Sequence, residues 1–401
     1  MVRERIRTGI ERIRTRIEPA WTGHRKLTIA IGAVAIVAIV GTGLLVWLGP
    51  RQASPAPSAS PTASPLIATE SPTESPTESP AESPSPTVDL NSTALPSDWA
   101  YGDLDGVAAP ATLAHRLPLA VMVADNQVSR PQSGISTASI VYQAYADGGE
   151  DRYMMIWQEG TASDIGPARS ARPYYVYWAA EYKALYAHVG GDAHSLQGVI
   201  PTMSSYIYNM DELNGGSCPF RRITQRVAPQ NDYTTGSQLI SCAAAKQYPS
   251  TYQNLPTRTF GDDVPLAQRP ASQTISISYR TGTVGYQFDS TADDYLRIVD
   301  GSPEIDPANN SKVYAHTIVV MYQNVGYDPG SLDEPNRPWV SNVGSGKATI
   351  FMEGRAITGT WKKASNTALT RFYDSSGAEI PFVRGEIFMQ SVPTGTAVTY
   401  K

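Results

Sequence analysis

The sequence predicts an α+β protein, with a mixed α/β N-terminal part and a β-rich C-terminal part, preceded by one transmembrane helix and a disordered linker. Three observations carry this: an uncharged 22-residue run at 27–48, a Ser/Pro-rich tract after it, and short apolar runs separated by turn residues from about residue 99 to the end. At about 1.5 Å per residue the run is about 33 Å long as a helix, enough for a hydrocarbon core of about 30 Å.

Residues 1–26 carry eight basic side chains (Arg3, Arg5, Arg7, Arg12, Arg14, Arg16, Arg25, Lys26) against Glu4, Glu11 and Glu18. By the positive-inside rule this tail stays cytoplasmic and everything after the run lies outside. The apolar run exceeds the 7–15 residues usual in a signal peptide and ends in Trp47-Leu48-Gly49-Pro50 without a small-x-small cleavage site, so a retained anchor is expected. Val2, Ile6, Ile10, Ile13 and Ile17 share one helical face, a pattern that suits a membrane surface. Topogenic charge alone accounts for the arginines equally well.

Residues 49–98 form a Ser/Pro/Thr/Glu-rich stalk with no material for a core. Such sequence prefers extended polyproline II at about 3.1 Å per residue, so its reach is on the order of 100 Å. The whole chain carries −5, and setting aside the tail's excess of five positive charges leaves about −10 for the exterior, which argues against nucleic acid as a partner. The two cysteines, Cys218 and Cys242, lie 24 positions apart on the oxidising side. A disulfide between them is expected, two unrelated buried thiols being the alternative. No cysteine adjoins the apolar run, so a lipid-modified N-terminal cysteine is not expected. No CxxC or spaced His/Cys set suggests zinc, and neither a metal nor a cofactor is implied.

About 300 residues remain for folding, read as two domains, 99–255 and 272–401, joined by a hinge at 256–271. In the first, Leu119–Ala124, Ile140–Tyr145 and Arg152–Gln158 read as strands, the last two joined at Gly148-Gly149. Ser170 is placed to cap a helix with Pro173 in its first turn and an aromatic side of Tyr174, Tyr177, Trp178 and Tyr182. Leu185–Val189 is a further strand, running into Gly190 and Gly191. In the second domain Thr274–Tyr279, Tyr314–Tyr322, Ala348–Met352, Ala356–Lys362, Ala378–Val383 and Glu386–Val392 read as strands, with a turn at Ser375-Ser376-Gly377.

The candidate site is the loop Gly166-Pro167-Ala168-Arg169-Ser170-Ala171-Arg172-Pro173. A helix beginning at Ser170 presents free N–H groups and a positive dipole end to an anion, and Arg169 and Arg172 stand beside it. Their planar guanidinium groups suit a carboxylate or phosphate. The alternative is that one or both pair with Asp147, Glu150, Asp151 or Asp164. Asp125, Asn126 and Arg130 follow the first strand, and Gly190 and Gly191 the fourth, at strand ends where α/β sheets tend to hold ligands. His188, between apolar neighbours in a strand, reads as a satisfied interior histidine rather than a base.

These segments resemble a known family. Leu119–Gln132, Gln143–Arg152, Gly166–Tyr174, His188–Gly191 and Arg226–Tyr233 are similar to successive blocks of the YerB-like proteins, lipoproteins with a domain of unknown function, N- and C-terminal parts. The resemblance continues weakly through Tyr295, Arg297, Asp306 and His316 to Gly359-Thr360-Trp361-Lys362. It implies an extracytoplasmic envelope protein of no settled activity, and it adds Arg152 and Asn231 to the candidate ligand-binding set. The family pattern has Glu at the position of Gln143 and His at that of Gln230. An amide performs neither group's proton transfer, so a hydrogen-bonding pocket survives those changes better than catalysis does.

Two functions are compatible with these residues. One is a membrane-anchored binding module for an anionic envelope ligand, a peptidoglycan fragment or polymer phosphate, or for a wall-modifying partner. The other is an envelope hydrolase or phosphotransferase in which Arg169 and Arg172 clamp a pyrophosphate and Asp125 serves as base or metal ligand. No catalytic nucleophile–base pair is evident, and the first reading is preferred.

Overall fold

A computed structural model describes residues 95–401 except 216–217, 253 and 332. The expected tail at 1–26, the apolar run at 27–48 and the stalk as far as residue 94 lie outside the described residues, among which no helix is long and apolar enough to cross a membrane.

Runs of Val, Ile, Met, Tyr and Ala with no interior proline form the strands of one ten-stranded sheet. From the N-terminal half come β1 (Leu119–Asp125), β2 (Ile140–Tyr145), β3 (Asp151–Trp157), β4 (Leu185–His188) and β5 (Tyr208–Asp211). Between β3 and β4 lies helix α1 (Pro173–Glu181), and after β5 comes α2 (Gly236–Ala245). The C-terminal half starts with an antiparallel meander, β6 (Thr274–Tyr279), β7 (Gly282–Asp289) and β8 (Asp294–Val299). It then gives β9 (Thr317–Gln323), β10 (Gly344–Met352), β11 (Arg355–Lys363), β12 (Arg371–Tyr373), β13 (Ile387–Pro393) and β14 (Val398–Tyr400). The large sheet runs β12-β11-β10-β9-β13-β2-β3-β1-β4-β5, while β14 closes the meander beside β6.

The two halves meet inside the large sheet. Strand β13 lies parallel to both β9 and β2, with Ile387 opposite Thr317 on one side and Ile140 on the other. Strands β1, β2 and β3 are buried along their whole length, as expected of a sheet covered on both faces. One face packs against α1, where Tyr142 stacks on Trp178 with ring centroids 4.8 Å apart. The other is covered by the meander through Ile277, Val284, Tyr286 and Tyr295, and by Leu239 and Cys242 of α2.

This architecture is the expected α+β class, with a sheet-dominated body, but the segments 99–255 and 272–401 do not fold as separate bodies. They share one sheet and one compact unit. The stretch expected as a hinge packs down instead. Arg258 is buried and donates to the Tyr182 hydroxyl at 2.8 Å, and Phe260 bridges to Phe382.

The expected strand Tyr314–Tyr322 is broken at His316. Tyr314–Ala315 pairs with β8 and the rest joins the large sheet, so the chain crosses between sheets at this corner. Ala378–Val383 makes only isolated bridges, and the turn at 375–377 is present. Strands β7 and β8 were not among the expected ones; in the second an arginine, Arg297, occupies an inward position. Cys218 and Cys242 form the expected disulfide, joining the loop after β5 to α2.

Candidate functional site

Strands β1 and β4 run parallel from Leu119 and Leu185 to Val121 and Ala187, then splay. The arginine loop is threaded into the gap. Arg169 N–H donates to the Met122 carbonyl and Ala124 N–H to that of Pro167, both at 2.9 Å. On the other side Val189 N–H donates to Arg169 and Ala171 N–H to Gly190, again at 2.9 Å. Gly166 admits the Tyr233 ring, which a Cβ there would meet at 2.7 Å. The backbone of 167–171 is thus fixed by four bonds to its flanking strands.

Helix α1 does not begin at Ser170. Pro173 occupies its first turn, and Arg172, in extended conformation, is the cap residue without a side-chain cap bond. A proline at the first helical position is pre-set for φ and has no N–H, which moves the start beyond Ser170 and removes one donor. Tyr175 and Val176 already donate to the Arg172 carbonyl. The Ser170 carbonyl accepts from Arg152 Nη1 at 2.8 Å. The helix start is therefore not the expected anion cradle.

Arg172 is also not free. It is buried, its Nε donates to Asp147 Oδ1 at 2.9 Å, it makes a second close contact to the same carboxylate, and Nη1 lies 3.5 Å from Asp192. Burial pushes its guanidinium down, and Asp192 opposes this. Asp147 also takes Arg337 Nη1 at 2.7 Å, with Arg152 Nη2 at 3.9 Å. The pairing alternative holds for Arg172: it fixes the turn between β2 and β3.

Arg169 differs. Successive residues of an extended segment face opposite ways. Ala168 bridges Val123, whose side chain joins the meander-side core, so Arg169 faces the α1 side with Arg152. Its guanidinium makes no hydrogen bond or ion pair among the described residues. Burial and then the neighbouring Arg152 push it down, and Glu150 alone opposes them. Asn126 Nδ2 donates to Glu150 Oε1 at 2.8 Å. The rim at the end of β1 and the start of β3 thus brings Asn126, Glu150, Arg152 and Arg169 together.

Asp125 and Arg130 lie on the other face. Asp125 is 1% exposed. Its Oδ1 accepts from Arg130 Nε at 3.0 Å and Gln132 Nε2 at 3.3 Å, and Oδ2 from Gln143 Nε2 at 2.9 Å. Arg130 continues to Asp300 at 2.7 Å, tying β1 to the meander. A carboxylate so enclosed has no lone pair directed at a pocket beside Arg169, so the base or metal-ligand role expected of Asp125 has no geometry here. No group of three or more His, Cys, Asp or Glu capable of holding a metal occurs among the described residues.

Gly190 takes a left-handed φ of 60° and donates to Asp211 Oδ1 at 2.8 Å, and Gly191 bridges Ala171. Both shape the loop's track. His188 is buried with both ring nitrogens partnered, by the Gly190 carbonyl at 2.7 Å and Asn209 Oδ1 at 2.8 Å, and burial pushes its pKa down. The Asn231 side chain faces Arg222 at 3.5 Å. Sequence reasoning did not find Arg337, which lies far from the loop in the chain. Nor did it find Asp151 as a proton holder. Burial and then Asp125, its cross-strand partner, push Asp151 up to about 8, while one oxygen accepts from the Thr281 hydroxyl and the other has no partner.

A sheet-dominated α+β body with an arginine loop threaded between splayed strands is the class defined so far. A family model described as protein of unknown function (DUF3048), N-terminal domain, matches residues 104–249, and the C-terminal domain of the same family matches 275–389. The chain belongs to this YerB-like family. A Bacillus subtilis (strain 168) relative named "Putative lipoprotein YerB" is 27% identical over 296 residues, 72% of this chain and 85% of the relative. The crystal structure of the YerB protein from Bacillus subtilis superposes with a TM-score of 0.66 at 25% identity, covering 75% of this chain and 99% of that one.

Proposed function

We propose that this protein is a membrane-tethered, extracytoplasmic binding module of the cell envelope that recognises an anionic ligand, a peptidoglycan fragment or polymer phosphate, at the rim around Arg169. One observation carries the reading: a half-buried guanidinium beside a second arginine, with no partner of its own among the described residues. Holding two cations close together away from water is unfavourable unless an anion joins them. Glu150 is shared with Asn126 and offsets only part of that charge. Tethering is supported by the basic tail and apolar run at 27–48 and by the name of the B. subtilis relative. The family's lipid-bearing cysteine is absent beside the run, so here a spanning helix takes the lipid's place.

The test is calorimetric titration of the purified chain with inorganic phosphate, pyrophosphate and soluble wall fragments. Saturable binding that Arg169→Ala abolishes is expected, and binding unchanged in that variant overturns the site. Protease added to intact cells checks the topology: loss of everything beyond residue 50 is expected, and full protection contradicts it.

A further inference from the structure

A second feature, independent of the Arg169 reading, lies on the far side of the β2–β3 turn. A cleft of 610 Å³ opens between that turn, the β6–β7 turn and the ribbon Val325–Tyr327/Pro338–Val340. This is within the size range of about 300–1,000 Å³ typical of ligand sites. Its walls mix two chemistries. Val325, Tyr327 and Pro338 give an apolar side on which Tyr327 is 70% exposed. Opposite stands Arg280, solvent-exposed, its guanidinium 5.3 Å from the Tyr145 ring centroid.

The acids around the cleft are engaged with groups other than Arg280. Asp147 is taken by Arg172 and Arg337, and Glu334 by Arg337 at 3.1 Å. Asp151, the remaining acid behind Arg280, is buried and hydrogen-bonded to the Thr281 hydroxyl, and burial pushes its pKa up to about 8, which weakens it as a counter-charge. Arg280 itself makes no ion pair among the described residues. The cation–π contact with Tyr145 leaves the guanidinium N–H groups without a protein partner among the described residues and open to an incoming anion. Beside it Gly148 leaves the backbone open, since a Cβ there would meet nothing within 4 Å.

The walls are also held in place before any ligand arrives. Arg172 and Arg337 fix the turn through Asp147, and His194 Nδ1 pairs with Asp328 at 2.8 Å to fasten the ribbon's loop. Such pre-organisation reduces the ordering cost of binding.

We propose that this cleft captures the C-terminal carboxylate of a short peptide. Arg280 takes the carboxylate through its paired N–H groups, and the Val325, Tyr327 and Pro338 wall takes the apolar body behind it. A free phosphate would satisfy Arg280 and leave that wall unused, whereas a single planar carboxylate matches one guanidinium fork in charge and shape.

The experiment is titration of the full chain, kept in mild detergent, with N-acetyl-Ala-Ala-Ala bearing a free carboxylate, with its C-terminal amide, and with inorganic phosphate. Saturable binding of the free acid is expected, at least about 10-fold tighter than the amide, the loss that goes with one charge-assisted pair. Arg280→Gln is expected to weaken the free acid by a similar factor, and Tyr327→Ser by about 3-fold. Both side chains are exposed, so circular dichroism and melting should match the parent chain. Equal affinity for acid and amide, no effect of Arg280→Gln on the free acid, or saturable phosphate binding that Arg280→Gln abolishes and Arg169→Ala leaves in place would each overturn the assignment.

Discussion

Two arginines removed from water, Arg297 in the core beneath the meander and Arg169 at the rim, are treated in opposite ways. Arg297 is fully buried on β8 and has every side of its guanidinium occupied. Glu304 accepts at 2.6 Å, the Tyr153 hydroxyl at 2.7 Å and Gln143 Oε1 at 3.2 Å, with the Phe388 ring centroid at 4.9 Å. Arg169 is half-buried and has none of this. A cation surrounded by the chain's own groups serves the fold, and one left short of them is available to something outside it. The contrast yields its largest test at Arg297. Arg297→Ala leaves the Glu304 carboxylate buried without its cation, and a loss of about 3–5 kcal/mol in urea unfolding is expected. A loss below about 1 kcal/mol would show that the core arginine is no more structural than the rim one.

Arg172 lies between these extremes and sharpens the comparison. It shares the signature loop with Arg169, three positions away, yet its charge is spent on Asp147 and Asp192. Removing it leaves both carboxylates with other donors, Arg337 for the first and Ser195 for the second. Arg172→Ala is therefore expected to cost about 1.5–3 kcal/mol, less than Arg297→Ala. It should also loosen the 147–149 turn, read as faster amide exchange at Gly148 and Gly149. A neutral result at both readouts would place Arg172 with Arg169.

How much of this was legible depends on what each residue answers to. Strands β1, β2 and β3 and helix α1 were readable within a residue or three, because their apolar runs and turn residues are local signals. The joining of the halves was not readable. Strand β13 looks the same in sequence whether it pairs with β9 alone or also with β2, and only the pairing shows a single sheet. The same limit applies at the site. The loop's two arginines look equivalent in sequence, and the partner that separates them, Asp147, was one of several acids weighed. Ser170 was the natural cap by residue type, but the proline three positions on fixed the helix start. Gln143 was noted as a departure from the family pattern. Its amide suits its place, donating to Asp125 and accepting from Arg297, a bridge that an ionised Glu could make only on one side.

Asp151 tests the meander side of the comparison by pH. Its folded-state pKa is raised to about 8 from 3.8, so its contribution to stability is fully present below about 4 and is lost as pH rises through 8. Asp151→Asn keeps an acceptor for the Thr281 hydroxyl, puts an N–H where the acid's proton stood, and removes the ionisation. The variant should match the parent near pH 4 and exceed it at pH 8 by several kcal/mol, up to about 5 for a shift of about four pKa units, measured as urea midpoints across that range. Parallel pH profiles would mean that Asp151 ionises in the folded protein without cost, and that Arg280 already has a counter-charge.

The smallest expected effect on stability is the most informative. Arg169 makes no side-chain bond among the described residues, and the charges acting on it are Arg152, which repels it, and Glu150, which attracts it. Its aliphatic stem contributes some packing, so Arg169→Ala should change unfolding free energy by less than about 0.5 kcal/mol in either direction, as for a side chain without defined partners. A loss of 2 kcal/mol or more would identify an internal contact worth as much as that of Arg172 and remove the reason for placing a ligand at the rim. Near-neutral stability combined with lost anion binding would complete the contrast with Arg297, because the same guanidinium chemistry would then be separated only by who supplies the partner. Arg169→Lys discriminates further. A point charge should retain part of the affinity for phosphate but lose the paired N–H geometry that favours a carboxylate, so the ratio of the two affinities reports which anion the rim is shaped for.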